Sequence, residues 1–408
     1  MAERVVLVFA YHFPPENAVG GARPYRFCKY LSQFGYRCHV ITAAEQTTGR
    51  NPGSEYVPDP FIEEPRKGIC WQVERVIRRF LLPGATGIRW SRLACRTARA
   101  FLRSNPHAEV TIFSTYPPLG THLAAFQLTR GGKSPWIADF RDPLSCNPAH
   151  TGLTKFQRSL HRRLEQVFLK CADVAIANTD VLAEKWKNAY PDIRDRVHLI
   201  WNGFDPEDRI EPHPLPQRDF QIISHVGELY RGRSVTALLE SISRLIDAGR
   251  LQANRVRIRL VGSMESDCLP DPGFLKRAKA QGWLELIAHQ VPQQEARHIA
   301  QTSDALLLVQ PHSSVQVPGK LFEYLRLGRP ILAYILPNTP IERILKQSGV
   351  TYGCVYAGSS AQDMDDAIKN FFHLKADVIQ ANSWFEQNFN AKKQTQALEM
   401  LIRSLHGP

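Results

Sequence analysis

No apolar run in this chain approaches the roughly 18–20 residues that a membrane-spanning helix needs. The longest, VVLVFAY and ALLLV, are the length of strands. No Cys-x-x-Cys pair occurs among the eight cysteines at 28, 38, 70, 95, 146, 171, 268 and 354, which argues against a zinc site or a dithiol redox centre. Scattered single cysteines are expected as buried thiols rather than bridges. A basic leader with a small-residue cleavage site is also missing. MAERVVLVFA enters a strand at once, so a cytoplasmic protein is expected. There is no Walker loop: Pro318-Gly319-Lys320 has Ser314 where the first glycine should stand and Leu321 where a hydroxyl should follow. Nor is there Gly-x-Gly-x-x-Gly, since GGARPYR at 20–26 matches that fingerprint poorly.

What is present is a chain of 408 residues, 43% hydrophobic and 22% charged, the composition of an ordinary globular protein. That length exceeds one comfortable core, so two domains are expected. The net charge of +12 is unevenly placed. Between Arg66 and Arg103 ten lysines and arginines face one acid, Glu74. The same stretch holds WQVERVIRRFLL, in which Trp71, Val73, Val76, Ile77, Phe80 and Leu81 fall near helical spacing. A basic amphipathic stretch with tryptophans suits an anionic membrane surface. The bland alternative is a solvated helix pair, and charge alone would also fit nucleic acid.

Strand-like and helix-like runs alternate along the chain. RVVLVFAY is a strand, GARPYRFCKYLSQ a helix that Gly35 should end, and RCHVITA the next strand. AEVTIFS, SPWIADF, DVAIANT and RVHLIW continue the series. Residues 202–220 pack four prolines and several charges into a linker-like composition. After it the rhythm restarts with QIISHVG, a helix over 234–248, VRIRLVG, a helix over 272–280, LELIAHQV, a helix over 293–301, DALLLVQ, a helix over 318–327 and PILAYIL. This alternation predicts two Rossmann-like units with parallel sheets. An amphipathic C-terminal stretch follows, with Leu398, Leu401, Ile402 and Leu405 as its stripe.

Two places could bind an anion. Gly20-Gly21 lies between the first strand and first helix, where free backbone N–H groups face outward. Pro318-Gly319-Lys320 opens a second helix. Glu323, one turn in, could accept from the paired hydroxyls of a ribose, or could cap the helix or pair with Arg326. The lone Asp-x-Asp of interest, Asp363 and Asp365, opens a helix where acids favour the dipole, and no metal site is expected there.

The stretch PGKLFEYLRLGRPILA closely resembles the donor motif of family 4 retaining glycosyltransferases. FPPENAVGGARPYRFCKYLSQFGYRCHVIT, FSTYPPLGTH, WIADFRDP, CADVAIANTD, LIWNGFD and HVGELYRGRSVTALLES are similar to further family segments, in the expected order. The resemblance spans nearly the whole chain. It implies the GT-B fold: an acceptor-binding domain over 1–203, a nucleotide-sugar domain over 204–385, and a C-terminal helix over 386–408 that returns to the first domain across a cleft. It implies a retaining, metal-independent hexosyltransferase that uses a nucleoside-diphosphate sugar as substrate and no cofactor. The acceptor implied is a glycan or lipid-linked sugar of bacterial cell-surface polysaccharide synthesis. Combined with the basic segment 66–103, it places the protein on the inner face of the membrane, with nucleic acid not expected as a partner. The alternative is a GT-B relative that does not transfer, such as a nucleotide-sugar epimerase.

The resemblance also assigns residues. Gly20 and Gly21 match glycines near the donor diphosphate and the acceptor. Arg233, with Arg231 as its rival, matches the base that follows "VG" and neutralises the diphosphate. Lys320 matches the family lysine, and Gly319 adds a backbone contact beside it. Glu323 matches the second acid of Glu-x7-Glu, the ribose binder. His122 matches a histidine that reaches the donor sugar, and Asp142 an aspartate of acceptor-side or structural role. The sequence departs from the pattern where the first acid should stand, because that residue is Val315. Its contact to the transferred sugar must then come from Gln316 or His312.

Overall fold

The computed structural model describes residues 2–14, 19–43, 53–63, 68–132, 134–147, 152–215, 217–230, 232–374 and 377–407. They form two compact units. Met1–Pro206 with Phe389–Pro408 makes the first, and Glu207–Asn388 the second.

RVVLVF is apolar at every position but one because its strand is covered on both faces, as parallel strands are. In β1 (Arg4–Phe9) the side chains of Val5, Leu7 and Phe9 enter one core, and those of Val6 and Val8 enter another. Each such side chain, fully buried, contributes roughly 1.5–3 kcal/mol. Around it lie β2 (Arg37–Thr42), β3 (Ser54–Tyr56), β4 (Glu109–Tyr116), β5 (Trp136–Phe140), β6 (Val174–Ala177) and β7 (Val197–Leu199). All pairings are parallel, in the order β3-β2-β1-β4-β5-β6-β7. Trp90, Trp136 and Phe168 fill the first core. The second is closed by the C-terminal helix Ala391–His406, whose Leu398 and Ile402 are buried against Phe27 and Leu31, with Leu401 and Leu405 at the edge.

The second unit repeats this topology without repeating the sequence. Its strands are β8 (Gln221–Val226), β9 (Val256–Val261), β10 (Leu284–Ile287), β11 (Ala305–Gln310), β12 (Ile331–Ile335) and β13 (Tyr352–Tyr356). The order is β10-β9-β8-β11-β12-β13, again parallel throughout.

Helices begin where short polar side chains can take up free N–H groups. Thr154 and Gln157 form a reciprocal capping box, and Thr179, Asp271, Thr339 and Ser360 each cap the helix that follows. Gly35 (φ 80°) follows the first helix, Val19–Gln33, and Gly328 (φ 65°) caps Lys320–Leu327 in the left-handed conformation glycine adopts freely. The proline-rich run 202–220 carries the boundary between units, yet it is tied down beyond it. Asp208 is bidentate with Arg297, Arg218 meets Asp304 at 2.6 Å, and Arg329 donates to the His213 carbonyl. No described helix is long and apolar enough to cross a membrane.

The expected buried thiols are only partly so. All eight cysteines are free, but Cys70 and Cys171 are exposed and only Cys95 and Cys268 are buried. Cys70 sits on a helix turn beside Trp71, and the tryptophan takes the inward position.

Candidate functional site

In the second unit the chain leaves β8 at Gly227, which has φ 148°. Its missing side chain has a visible use: Lys320 Nζ lies where a Cβ on Gly227 would stand. Gly262, after β9, is also closely packed, since a Cβ there would come within 2.5 Å of the Gly227 carbonyl oxygen. Two strand ends thus press together at their glycines, and the first residue of helix Lys320–Leu327 reaches over them.

Arg233 completes this arrangement. Its backbone N–H donates to the Tyr230 carbonyl at 3.1 Å, and its guanidinium lies 4.7 Å over the Tyr230 ring. Among the described residues neither Lys320 nor Arg233 makes an ion pair. Burial, and then Arg233, push the Lys320 ammonium down to about 8. His225 is 4% exposed and donates from Nδ1 to the Leu307 carbonyl at 3.0 Å, while its Nε2 has no partner. Burial, then Lys320, push it down to about 3, so it is neutral. His312 is lowered by burial and by Arg233. Positive charge is concentrated here: Glu323 and Glu228 act on Lys320 from nearby, but burial and Arg233 outweigh them, which suits an anion site.

Gly319 precedes Lys320 with no side-chain cap on the helix, and a Cβ on it would meet nothing within 4 Å. Glu323 is half-buried one turn on. Burial raises its carboxyl, against the opposing pull of Arg297 and then Lys320. No hydrogen bond engages that carboxylate among the described residues, so neither a capping role nor a pair with Arg326 accounts for it. Val315 is half-buried, and the Gln316 side-chain oxygen accepts from Gln310 at 3.2 Å. Arg231 lies outside the described residues. Of the second Asp-x-Asp candidates, Asp365 is held by Ser241 and Arg244, and Asp363 accepts from Ser360 at 2.7 Å.

In the first unit Gly20 and Gly21 lie inside the first turn of helix Val19–Gln33 rather than in a loop before it. Pro24 has no N–H to donate to the carbonyl four residues back, which is that of Gly20. Arg141 supplies the missing bond, its Nη1 donating to Gly20 O at 2.6 Å. A Cβ on Gly20 would stand 3.0 Å from that Nη1, and one on Gly21 would stand 3.1 Å from Phe13 Cα. Close packing of backbone and guanidinium therefore requires both glycines. Asp142 is half-buried beside Arg141.

His122 is fully buried. Its Nδ1 shares a hydrogen bond with Ser114 at 2.8 Å, and the rings of Phe140, Phe168, Tyr116 and Trp136 surround it at 4.4–6.0 Å. Burial, then Arg141, push it down to about 3. The structure places it in the aromatic core. A depression of about 500 Å³ lined by Phe126, Arg130, Cys171, Asp173 and Leu405 contains none of the residues named so far as site candidates.

Sequence reasoning missed the central ion pair of the first unit. Asp139 is fully buried and takes both Nε and Nη2 of Arg23, with Thr115 donating at 2.8 Å. Arg23 also donates to the carbonyls of Ile200 and Trp201 at 2.9 and 2.6 Å. It missed Gly227 as well, whose partner Lys320 is remote in the sequence.

Residues 21–208 match Glycosyltransferase Family 4. The chain's fold is of GT-B type. Its fold is shared over full length by solved structures of low identity. One is an α,α-trehalose-phosphate synthase (UDP-forming) from Burkholderia vietnamiensis, 13% identical over 100% of this chain and 98% of the other, with a TM-score of 0.65. Another is Anabaena Alr3699/HepE in complex with UDP-glucose, 12% identical, covering 98% and 99%, with a TM-score of 0.62. The catalytic domain of starch synthase IV from Arabidopsis thaliana, bound to ADP and acarbose, is 12% identical, covers 100% of both chains and has a TM-score of 0.61. No curated protein sequence matches the chain significantly. The GT-B fold is thus legible in both units, and the half-buried cations belong to the second.

Proposed function

We propose that this protein is a glycosyltransferase that moves a hexose from a nucleoside-diphosphate sugar to a glycan or lipid-linked acceptor of cell-surface polysaccharide synthesis, with retention at the anomeric carbon. The observation that carries the reading is the pair Lys320 and Arg233, half-buried, mutually repelling and unpaired among the described residues. Two phosphates would supply the compensating charge. Gly319 and the uncapped helix start would add backbone N–H groups to the same anion. Glu323, with its unengaged carboxylate a turn further, suits two neighbouring ribose hydroxyls. Gln316 takes the place of the sugar contact that Val315 cannot make.

When the bond between the anomeric carbon and the phosphate oxygen breaks, that oxygen keeps the electron pair and gains negative charge. Fixed cations stabilise this charge without reorganising. The same cations supply the role a metal would otherwise fill, so metal-independent transfer is part of the proposal. The acceptor hydroxyl attacks as the leaving phosphate takes its proton, and no separate base is invoked. The first unit would hold the acceptor, with Gly20, Gly21 and Asp142 on that side. His122 is left to the aromatic core. The basic segment 66–103 belongs to this unit and supports a peripheral, membrane-proximal working place.

Incubation with a labelled nucleotide sugar and an acceptor extract, in chelator, tests the reading. It predicts a glycosylated product whose anomeric configuration, read by NMR, matches that of the donor. An epimerised nucleotide sugar appearing without acceptor would favour the epimerase instead.

A further inference from the structure

Helix Ile69–Val76 and the π-helical turn Ile77–Leu81 that continues it are turned inside out. Trp71 and Glu74 are 8% and 2% exposed, and the Trp71 indole N–H donates to the Phe61 carbonyl at 3.0 Å. The opposite face is apolar and bare. Ile69, Val73, Val76 and Phe80 are 81%, 55%, 49% and 58% exposed. At about 100° per residue these four fall within roughly 60° of one another on the helix surface. Trp71 and Glu74 lie on the far side. Phe156, 64% exposed, extends the patch, because its neighbour Gln157 donates to the Phe80 carbonyl at 2.9 Å. A contiguous apolar stripe of this kind on a surface marks a docking site.

The charges around it choose the occupant. Arg75 and Arg79 flank the stripe, and the adjoining helix Lys155–Cys171 brings Lys155, Arg158, Arg162 and Arg163. The acids of these two segments, Glu74 and Glu165, are both turned inward at 2% exposure. A second copy of this chain would oppose like charge to like charge. A bilayer surface rich in anionic lipid offers the complement to both features, apolar depth for the stripe and phosphate charge for its rim.

We propose that the segment Ile69–Leu81 docks on an anionic bilayer, its stripe of Ile69, Val73, Val76 and Phe80 entering the headgroup–acyl boundary and its arginines meeting lipid phosphates. This deepens the membrane-proximal reading above by naming the inserting face, and it stands or falls apart from the donor site, which lies in the other unit. The protein as a whole is floated with vesicles of phosphatidylcholine alone or mixed with phosphatidylglycerol. Flotation with the mixed vesicles alone is expected. Arg75→Gln with Arg79→Gln should weaken it roughly thirtyfold, and Val73→Ser with Phe80→Ser roughly a hundredfold. Both variants should keep the wild-type melting curve, since the altered side chains are exposed, and should keep nucleotide-sugar binding. No flotation with the mixed vesicles, or flotation unchanged in the stripe variant, would overturn the proposal. So would a concentration-dependent dimer in sedimentation that Phe80→Ser abolishes, because the stripe would then serve a second copy. Loss of nucleotide-sugar binding in the wild type would count against the donor reading and leave this one standing.

Discussion

Burial of Lys320 carries a cost in the folded protein that a bound anion would relieve. Its ammonium is pushed down to about 8 from an ordinary value of 10.5 by burial and by Arg233. The folded state therefore binds fewer protons than the unfolded one between those two values, so the charged lysine destabilises fully below pH 8 and the penalty fades as pH rises toward 10.5. Replacing Lys320 by Met should stabilise the protein at pH 7, with an advantage that shrinks above pH 8 in denaturant titrations. The same substitution should weaken nucleoside-diphosphate binding roughly tenfold to a hundredfold, the loss of one charged hydrogen bond. A bound diphosphate should also raise the lysine's proton affinity. Calorimetry at pH 8 in buffers of different ionisation heat should show net proton uptake, absent in Lys320→Met, and affinity should fall as pH rises beyond 8. The lysine and Glu323 were readable from PGKLFEY. Gly227 was not, because the reason for it is a side chain ninety-three residues away.

At the scale of elements, the first helix shows how one irregularity is compensated by another. Pro24 frees the Gly20 carbonyl, Arg141 takes it, and the glycine lets the guanidinium approach. Gly21→Ala should cost roughly 1–3 kcal/mol of stability in the first unit through overpacking on Phe13 and lower turnover, while nucleotide-sugar affinity holds. Asp139→Asn should cost more, roughly 3–5 kcal/mol in urea unfolding, because it leaves the buried Arg23 guanidinium short of its counter-charge. The β/α rhythm was legible because parallel strands covered on both faces must be apolar throughout. Helix Ile69–Val76 was not fully legible. Periodicity groups Val73, Val76 and Phe80 on one face, but does not say which face the neighbours cover, and here Trp71 went inward instead. For His122, family position points to the sugar, and the structure packs it among the rings of Tyr116, Trp136, Phe140 and Phe168.

At the scale of the molecule, two sheets share one strand order but for an extra edge strand, β7, in the first, they keep separate cores, and the chain re-enters the first unit at Phe389. Deleting residues 389–408 should uncover the face that Leu398 and Ile402 close and lower the melting of the first unit, leaving that of the second in place. The central claim is that the second unit holds a nucleoside-diphosphate sugar on Lys320, Arg233 and Glu323. A thermal-shift panel of UDP-, GDP-, ADP- and dTDP-sugars addresses it most directly. At a hundredfold excess over its dissociation constant, the true donor adds about 2.7 kcal/mol to the unit that binds it, or a rise of roughly 5–10 °C for one of this size. The account predicts that one nucleotide raises the melting temperature of the native protein and leaves Glu323→Ala unmoved. A panel in which no nucleotide sugar shifts the native protein, or in which Glu323→Ala shifts equally, would contradict it.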